Sequence, residues 1–281
     1  MTTTATATRC RLETEIPPFR HVAIRLLREA GDPSASFGQI ANLLKTDSVL
    51  TLELLRVANS PLFCRRREIT SVLHAIAFLG LDLVRSLAVT AALRGMVGQG
   101  SEIVHACWRH SLAAALVCKH WSGLVGLESE RCYTAGLIHD VGQLALLHVF
   151  KDYESAMAGA LEGGEQLPEA EERVFGMNHG EAGRWLLARW QCPFELQNVA
   201  ALHEDPPNVP SYDGDLIRLV QAASGFANMI HMSVLPGLSK VDPQRIVAAF
   251  PEVHRQALEE SFPELAEWIL INVNGVEANF V

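Results

Sequence analysis

Ala135-Gly136-Leu137-Ile138-His139-Asp140-Val141-Gly142 sets an imidazole and a carboxylate side by side in an otherwise apolar segment. Burying that pair costs free energy unless something satisfies it. A divalent cation would satisfy both, because a neutral His nitrogen and an ionised Asp oxygen are natural ligands for Fe, Mn, Zn or Mg. A two-residue motif also arises by chance, so its weight depends on the surrounding pattern and on what else could complete a site.

The surrounding pattern is helical. Ile24 and Leu27, then Ile40, Leu43 and Leu44, then Leu50, Leu54, Leu55 and Ala58 recur at helical spacing. Asp32-Pro33-Ser34 reads as a turn, Asp47 is placed to cap the helix that follows it, and Asn59-Ser60-Pro61 ends that helix. Further helices are predicted at about 69–79, 81–97, 102–123, 128–147, 152–162, 166–176, 178–190, 193–203, 213–233 and 251–272. No alternating strand pattern stands against them. The expected fold is all-α, a two-lobed helical bundle. Met96-Val97-Gly98-Gln99-Gly100-Ser101 marks the internal boundary, and Asp205-Pro206-Pro207-Asn208-Val209-Pro210 reads as a rigid extended loop. The chain divides into a flexible terminus at 1–15, an N-terminal helical lobe at 16–97, a second helical lobe at 102–235 and a C-terminal helical extension at 236–281.

Composition narrows the function classes. A net charge of −9 over 281 residues gives no general attraction to nucleic acid or anionic membranes. The basic run Arg65-Arg66-Arg67 is too short to reverse this and reads as a solvated turn. Cys10, Cys64, Cys107, Cys118, Cys132 and Cys192 lack C-x-x-C spacing and read as small core residues of a reduced, cytoplasmic protein. The Thr-rich start has no signal-peptide pattern, and the apolar run from Val72 to Leu93 is interrupted by His74, Asp82 and Arg85. Phosphate-loop, dinucleotide, H-E-x-x-H and G-x-S-x-G motifs are all missing.

What remains is a set of histidines. His110 lies on a long Ala-rich helix, His139 and Asp140 on the next, His179 opens a later one and His203 closes the one after. Helices packed in a bundle can turn such residues inward on one cation. Any single His on an apolar face is more simply a satisfied core residue. Glu169, Glu171 and Glu172 read as a solvated helix face, and Trp185 and Trp190 as core.

Three groups of residues carry a family resemblance. Leu43-Leu44-Lys45-Thr46-Asp47, Leu54 to Ser60 and Ser71 to Gly80 form the first. Trp108-Arg109-His110-Ser111 with Gly136 to Gly142 form the second, and His179-Gly180-Glu181-Ala182-Gly183 running into Trp190 the third. Together they resemble the HDOD family, the HD-related output domain of bacterial signalling, over about residues 16–235. The resemblance implies an all-helical protein whose second lobe is related to HD phosphohydrolases and HD-GYP cyclic-dinucleotide phosphodiesterases. By that likeness His110, His139 and Asp140 match the ligands of a first metal. His179 and His203 match residues that help to hold a second.

The chain departs from those enzymes at three places. Ser224 stands where they supply a late-helix Asp, Gln143 where HD-GYP proteins carry Lys, and His203-Glu204 where they present paired histidines. A hydroxyl is a far poorer ligand for a hard cation than a carboxylate. The expectation is therefore a non-catalytic regulatory output module with a degenerate HD metal site, holding one divalent cation (Fe, Mn, Mg or Zn) or none. Its partner would be a protein of a signalling pathway, with a nucleotide ligand and a homodimer compatible with the same reading. The alternative is a metal-dependent phosphohydrolase or phosphodiesterase acting on a nucleotide or cyclic dinucleotide, with Asp140 as its catalytic residue.

Overall fold

The structure, a computed structural model, describes residues 3–16, 21–28, 37–59, 68–97, 101–205, 214–239 and 241–278. In chain order the α-helices are α1 (Thr3–Glu15), α2 (His21–Arg28), α3 (Phe37–Lys45), α4 (Ser48–Ala58), α5 (Val72–Leu79), α6 (Leu81–Val97), α7 (Glu102–Trp121), α8 (Ser129–Ile138), α9 (Val141–Val149) and α10 (Tyr153–Glu162). They continue as α11 (Leu167–Phe175), α12 (His179–Arg189), α13 (Phe194–Leu202), α14 (Gly214–Met229), α15 (Pro243–Val247), α16 (Glu252–Glu260) and α17 (Phe262–Glu277). No strand occurs among the described residues, so the all-α expectation holds. Nor is any described helix long and apolar enough to cross a membrane.

The chain forms two compact units, Met1–Pro17 with Gln99–Glu259 and Pro18–Gly98 with Glu260–Val281. The second of these is organised on α6, whose residues Val84 to Leu93 are buried all round, with α2, α4 and α5 packed on it. Local chemistry sets its helix ends. Asp47 accepts the Leu50 N–H at 2.9 Å, as the sequence predicts, and Ser71 accepts the His74 N–H at the start of α5. Asn59 then ties the end of α4 to the segment before α5, donating to Leu55 O and Ile69 O at 2.8 Å each and accepting from Ile69 N at 2.7 Å. The predicted turn at 32–34, the Arg65–Arg67 run, Cys64, residues 98–100 of the 96–101 boundary and nearly all of the 205–210 loop lie outside the described residues.

The unit that carries the HD doublet is built on α7. This helix buries Trp108, Leu112, Ala113, Ala114, Ala115, Leu116 and Trp121, and packs against α8 on one side and α14 on another. Trp121 meets Phe226 and Phe250 edge-on, with ring centroids 5.3 Å and 5.2 Å away. Helix α12 pairs with α9 and α13. Two glycines set these distances. A Cβ on Gly136 would lie 2.9 Å from Ala114 O and Cys118 Sγ, and one on Gly142 would lie 1.9 Å from His179 O. Only a residue without a side chain lets α8 meet α7, and α9 meet α12, this closely.

Several boundaries differ from the sequence reading. The predicted helix at 128–147 is two helices, because the chain turns at His139 and Asp140, the latter at φ −97°, ψ 19°. The predicted helix at 251–272 breaks at Ser261, where Pro263 supports a new helix start but could not continue an old one. Residues 3–15, read as a flexible terminus, form α1. Leu12 is buried there, Thr8 donates to Phe175 O at 2.5 Å, and Arg11 donates to Val149 O at 2.6 Å while lying over the Phe150 ring. The stretch read as one C-terminal extension is shared between the two units. Of the described cysteines, Cys107, Cys118, Cys132 and Cys192 are buried thiols and Cys10 is exposed. Trp185 and Trp190 are only half-buried; Trp108 and Trp121 are the indoles of the core.

Candidate metal centre

His110, His139, Asp140, His179 and His203 converge, and all five are buried. The helices explain how. His110 points inward from the middle of α7, and His139 and Asp140 fill the turn between α8 and α9. His179 opens α12, and His203 is the residue just past α13. The sequence reading placed the doublet on a helix. In fact its position between two helix ends frees both side chains to face the same way.

Two triads form around a shared carboxylate. Ligand atoms of His110, His139 and Asp140 lie within 4.8 Å of one another, as do those of Asp140, His179 and His203. His139 Nε2 is 3.3 Å from Asp140 Oδ2, and His203 Nε2 is 3.2 Å from Asp140 Oδ1. Neither contact is aligned as a hydrogen bond, so both Nε2 atoms are buried without a hydrogen-bond partner. Their Nδ1 atoms are held: His139 Nδ1–H donates to Gly136 O at 2.7 Å and His203 Nδ1–H to Ala200 O at 3.1 Å. A ring anchored through one nitrogen, with the other bare and turned toward a carboxylate, is the arrangement of a metal-ligating histidine. Buried polar atoms are otherwise nearly always paired. These residues therefore fit a divalent cation.

Burial and the neighbouring carboxylates set the electrostatics of the centre. Burial alone would raise the Asp140 carboxyl, but His139 and His203 beside it hold it well below the usual carboxylate range. Burial takes His110 down to about 4 despite the nearby Asp140, so this ring is neutral. Burial would also lower His179, yet Glu171 outweighs it and lifts the ring to about 10. Cys107, close to the same carboxylates, is pushed up by burial and by Asp140 and Glu171, so it remains a thiol.

Glu171 was missed by the sequence reading, which put it on a solvated face. It is fully buried and accepts three hydrogen bonds: from the Tyr153 hydroxyl, from His179 N at 2.8 Å and from His179 Nδ1 at 2.6 Å. Gln143 in turn donates to Tyr153 Oη at 3.2 Å. A signal was present in the sequence, since Leu167, Ala170, Glu171 and Phe175 fall on one helical stripe and all are buried.

Ser224 and Glu204 mark what is different about this centre. His110 Nδ1–H donates to Met232 O at 2.9 Å, which leaves Nε2 as the acceptor of the Ser224 hydroxyl at 3.1 Å. The same Nε2 lies 3.5 Å from Asp140 Oδ2. Glu204 is 53% exposed, and its Oε1 sits 3.7 Å from His203 Nε2 and 3.8 Å from His179 Nε2.

The HDOD domain model matches residues 16–206, more than half of the chain. The chain belongs to the HDOD family. An HDOD domain protein of unknown function from Geobacter sulfurreducens is 27% identical, with a TM-score of 0.73 over 95% of this chain and 97% of that one. A candidate phosphohydrolase from Shewanella amazonensis SB2B is 20% identical with a TM-score of 0.71, over 98% and 97% of the two chains. That likeness bears on the fold. An uncharacterized Treponema pallidum protein is 22% identical over an alignment of 220 residues that covers 76% of this chain and 42% of that protein. This HDOD chain thus spans less than half the length of that relative.

Proposed function

We propose that this HDOD protein is a non-catalytic regulatory module that works through contact with a protein partner and keeps a divalent cation in its HD centre. The observation that carries the reading is the hydrogen bond between Ser224 Oγ and His110 Nε2 at 3.1 Å. HD phosphohydrolases, by the resemblance, place a carboxylate there. Here a neutral hydroxyl takes the imidazole nitrogen that would otherwise bind metal, and the first triad keeps Asp140 as its one carboxylate. A cation there would act as a Lewis acid toward a phosphoryl group. With Asp140 as its one carboxylate, the first position neutralises only half of the charge of a dication.

A second reading has its own observation, the sharing of Asp140 between two triads. A bridging carboxylate is what a two-metal phosphohydrolase would use, and a nucleotide or cyclic dinucleotide would then be the substrate.

One experiment separates the two. The chelator-stripped protein, reloaded with Mn²⁺ or Fe²⁺, is assayed on bis-p-nitrophenyl phosphate and on a cyclic dinucleotide, beside Asp140→Ala. The regulatory reading expects a bound metal and equal, background turnover for the two proteins. Metal-dependent turnover lost in Asp140→Ala would replace it with the enzymatic reading.

A further inference from the structure

We propose that Glu204 is a metal ligand, which with Asp140, His179 and His203 completes a mononuclear centre on the α12–α13 side of the HD doublet. The inference rests on the metal-retaining reading above and says where the ion sits and what neutralises it.

The donor atoms are already gathered. Asp140 Oδ1 is 3.2 Å from His203 Nε2, and Glu204 Oε1 is 3.7 Å from His203 Nε2 and 3.8 Å from His179 Nε2. Two ligands each about 2.1 Å from one ion stand about 3.4 Å apart in tetrahedral geometry. The observed separations straddle that value, and Glu204 is the side chain free to move, being half-exposed and on a two-methylene stem. Its carbonyl accepts from Gln221 Nε2 at 2.8 Å, and its carboxylate can turn about the side-chain bonds.

An independent observation points to a ligand. His203 is 1% exposed and its Nε2 has no hydrogen-bond partner. Glu204 is too far from it to supply one, and Asp140, although near, lies off the line. His179 is held in the same pose, with Nδ1–H given to Glu171 and Nε2 turned toward Glu204. Across the site, His110 is occupied by Ser224. Charge favours the α13 side too. Asp140 and Glu204 together neutralise one dication, whereas on the His110 side Asp140 stands alone. Two imidazoles with two carboxylates suit a first-row transition dication such as Mn²⁺, Fe²⁺ or Zn²⁺ over the oxygen-seeking Mg²⁺ and Ca²⁺.

The test uses the full chain, stripped of metal and titrated with Mn²⁺ alone. Bound and free ion are separated by the electron paramagnetic resonance signal of free Mn²⁺, with circular dichroism as the check of fold. The parent should bind one equivalent. Glu204→Gln should weaken binding by at least about 100-fold, since losing a ligand should cost no less than the 10–100-fold of outer-sphere changes, and Glu204→Asp should recover part of the loss. Glu181→Gln removes one exposed carboxylate from the first turn of α12 and should change affinity less than about threefold, as exposed charges do when screened. Glu204→Gln binding within threefold of the parent overturns the Glu204 assignment while leaving the metal-retaining reading in place. A parent that binds no Mn²⁺, like Asp140→Ala, overturns both.

Discussion

On the proposed one-metal reading, Ser224→Asp should give a protein that holds two ions and is unstable until the second arrives. Ser224 Oγ lies 3.1 Å and Asp140 Oδ2 3.5 Å from the same His110 nitrogen, so the two oxygens are at most about 6.6 Å apart. A carboxylate at 224 would face ionised Asp140 at that distance or less. Two like charges so placed repel by about 2.5 kcal/mol at an effective dielectric constant of about 20. For a chain of 281 residues, at about 2.1 cal/mol/K of unfolding entropy per residue, that is a fall in melting temperature of about 4 °C. A cation bound between the carboxylates at 100 times its Kd returns about 2.7 kcal/mol and cancels the loss. The assay is thermal unfolding of parent and variant in chelator and in Mn²⁺, with metal counted per chain. The variant should melt lower in chelator, match the parent in Mn²⁺, and hold two ions where the parent holds one. A variant as stable as the parent in chelator would show that residue 224 does not face Asp140. A stoichiometry still at one would show that the His110 side lacks more than a carboxylate.

Other changes probe the supports of the centre. Asp140→Ala removes the carboxylate shared by both triads and should abolish stoichiometric metal, read by elemental analysis. Glu171→Ala leaves the Tyr153 hydroxyl and two His179 N–H groups without their acceptor. It should cost about 3–5 kcal/mol in chemical denaturation and, by releasing the His179 ring, about 10–100-fold in Mn²⁺ affinity. Equal Mn²⁺ affinity in the two proteins would show that Glu171 does not orient the ligand. Gly142→Ala puts a Cβ 1.9 Å from His179 O, a clash with backbone, which no rotamer change relieves. A loss of about 3 kcal/mol or more and weakened metal binding are expected; a fully stable variant would mean that α9 and α12 part easily. Thr8→Val removes the bond from α1 to Phe175 O and should lower stability by about 1 kcal/mol in the same denaturation assay.

The helices were legible because their apolar residues recur at helical spacing, and caps such as Asp47 and stops such as Asn59 declared themselves. The five site residues were legible as a set, but periodicity fixes a face and not a distance. It could not tell that the chain turns at the doublet, since Val141 to Val149 continues the apolar pattern of α8 almost in phase. Helix α1 was illegible for another reason. Its Thr- and Ala-rich sequence has no apolar stripe, and what holds it is Leu12, Thr8 and one guanidinium on a distant backbone carbonyl. Glu171 was hidden by its neighbours Glu169 and Glu172, which made a buried acid look like part of a wet surface. Its place on the stripe of Leu167 and Phe175 was the better guide.

His139 and His203 take their ring poses from carbonyls three residues back, Gly136 O and Ala200 O, each in the last turn of a helix that has no further N–H to offer. Those oxygens are present whatever the side chains around them. The two imidazoles are thus aimed by the main chain, and substitutions nearby that keep α8 and α13 intact leave the aim unchanged. A centre of this construction would keep the aim of its imidazoles through the loss of a neighbouring ligand.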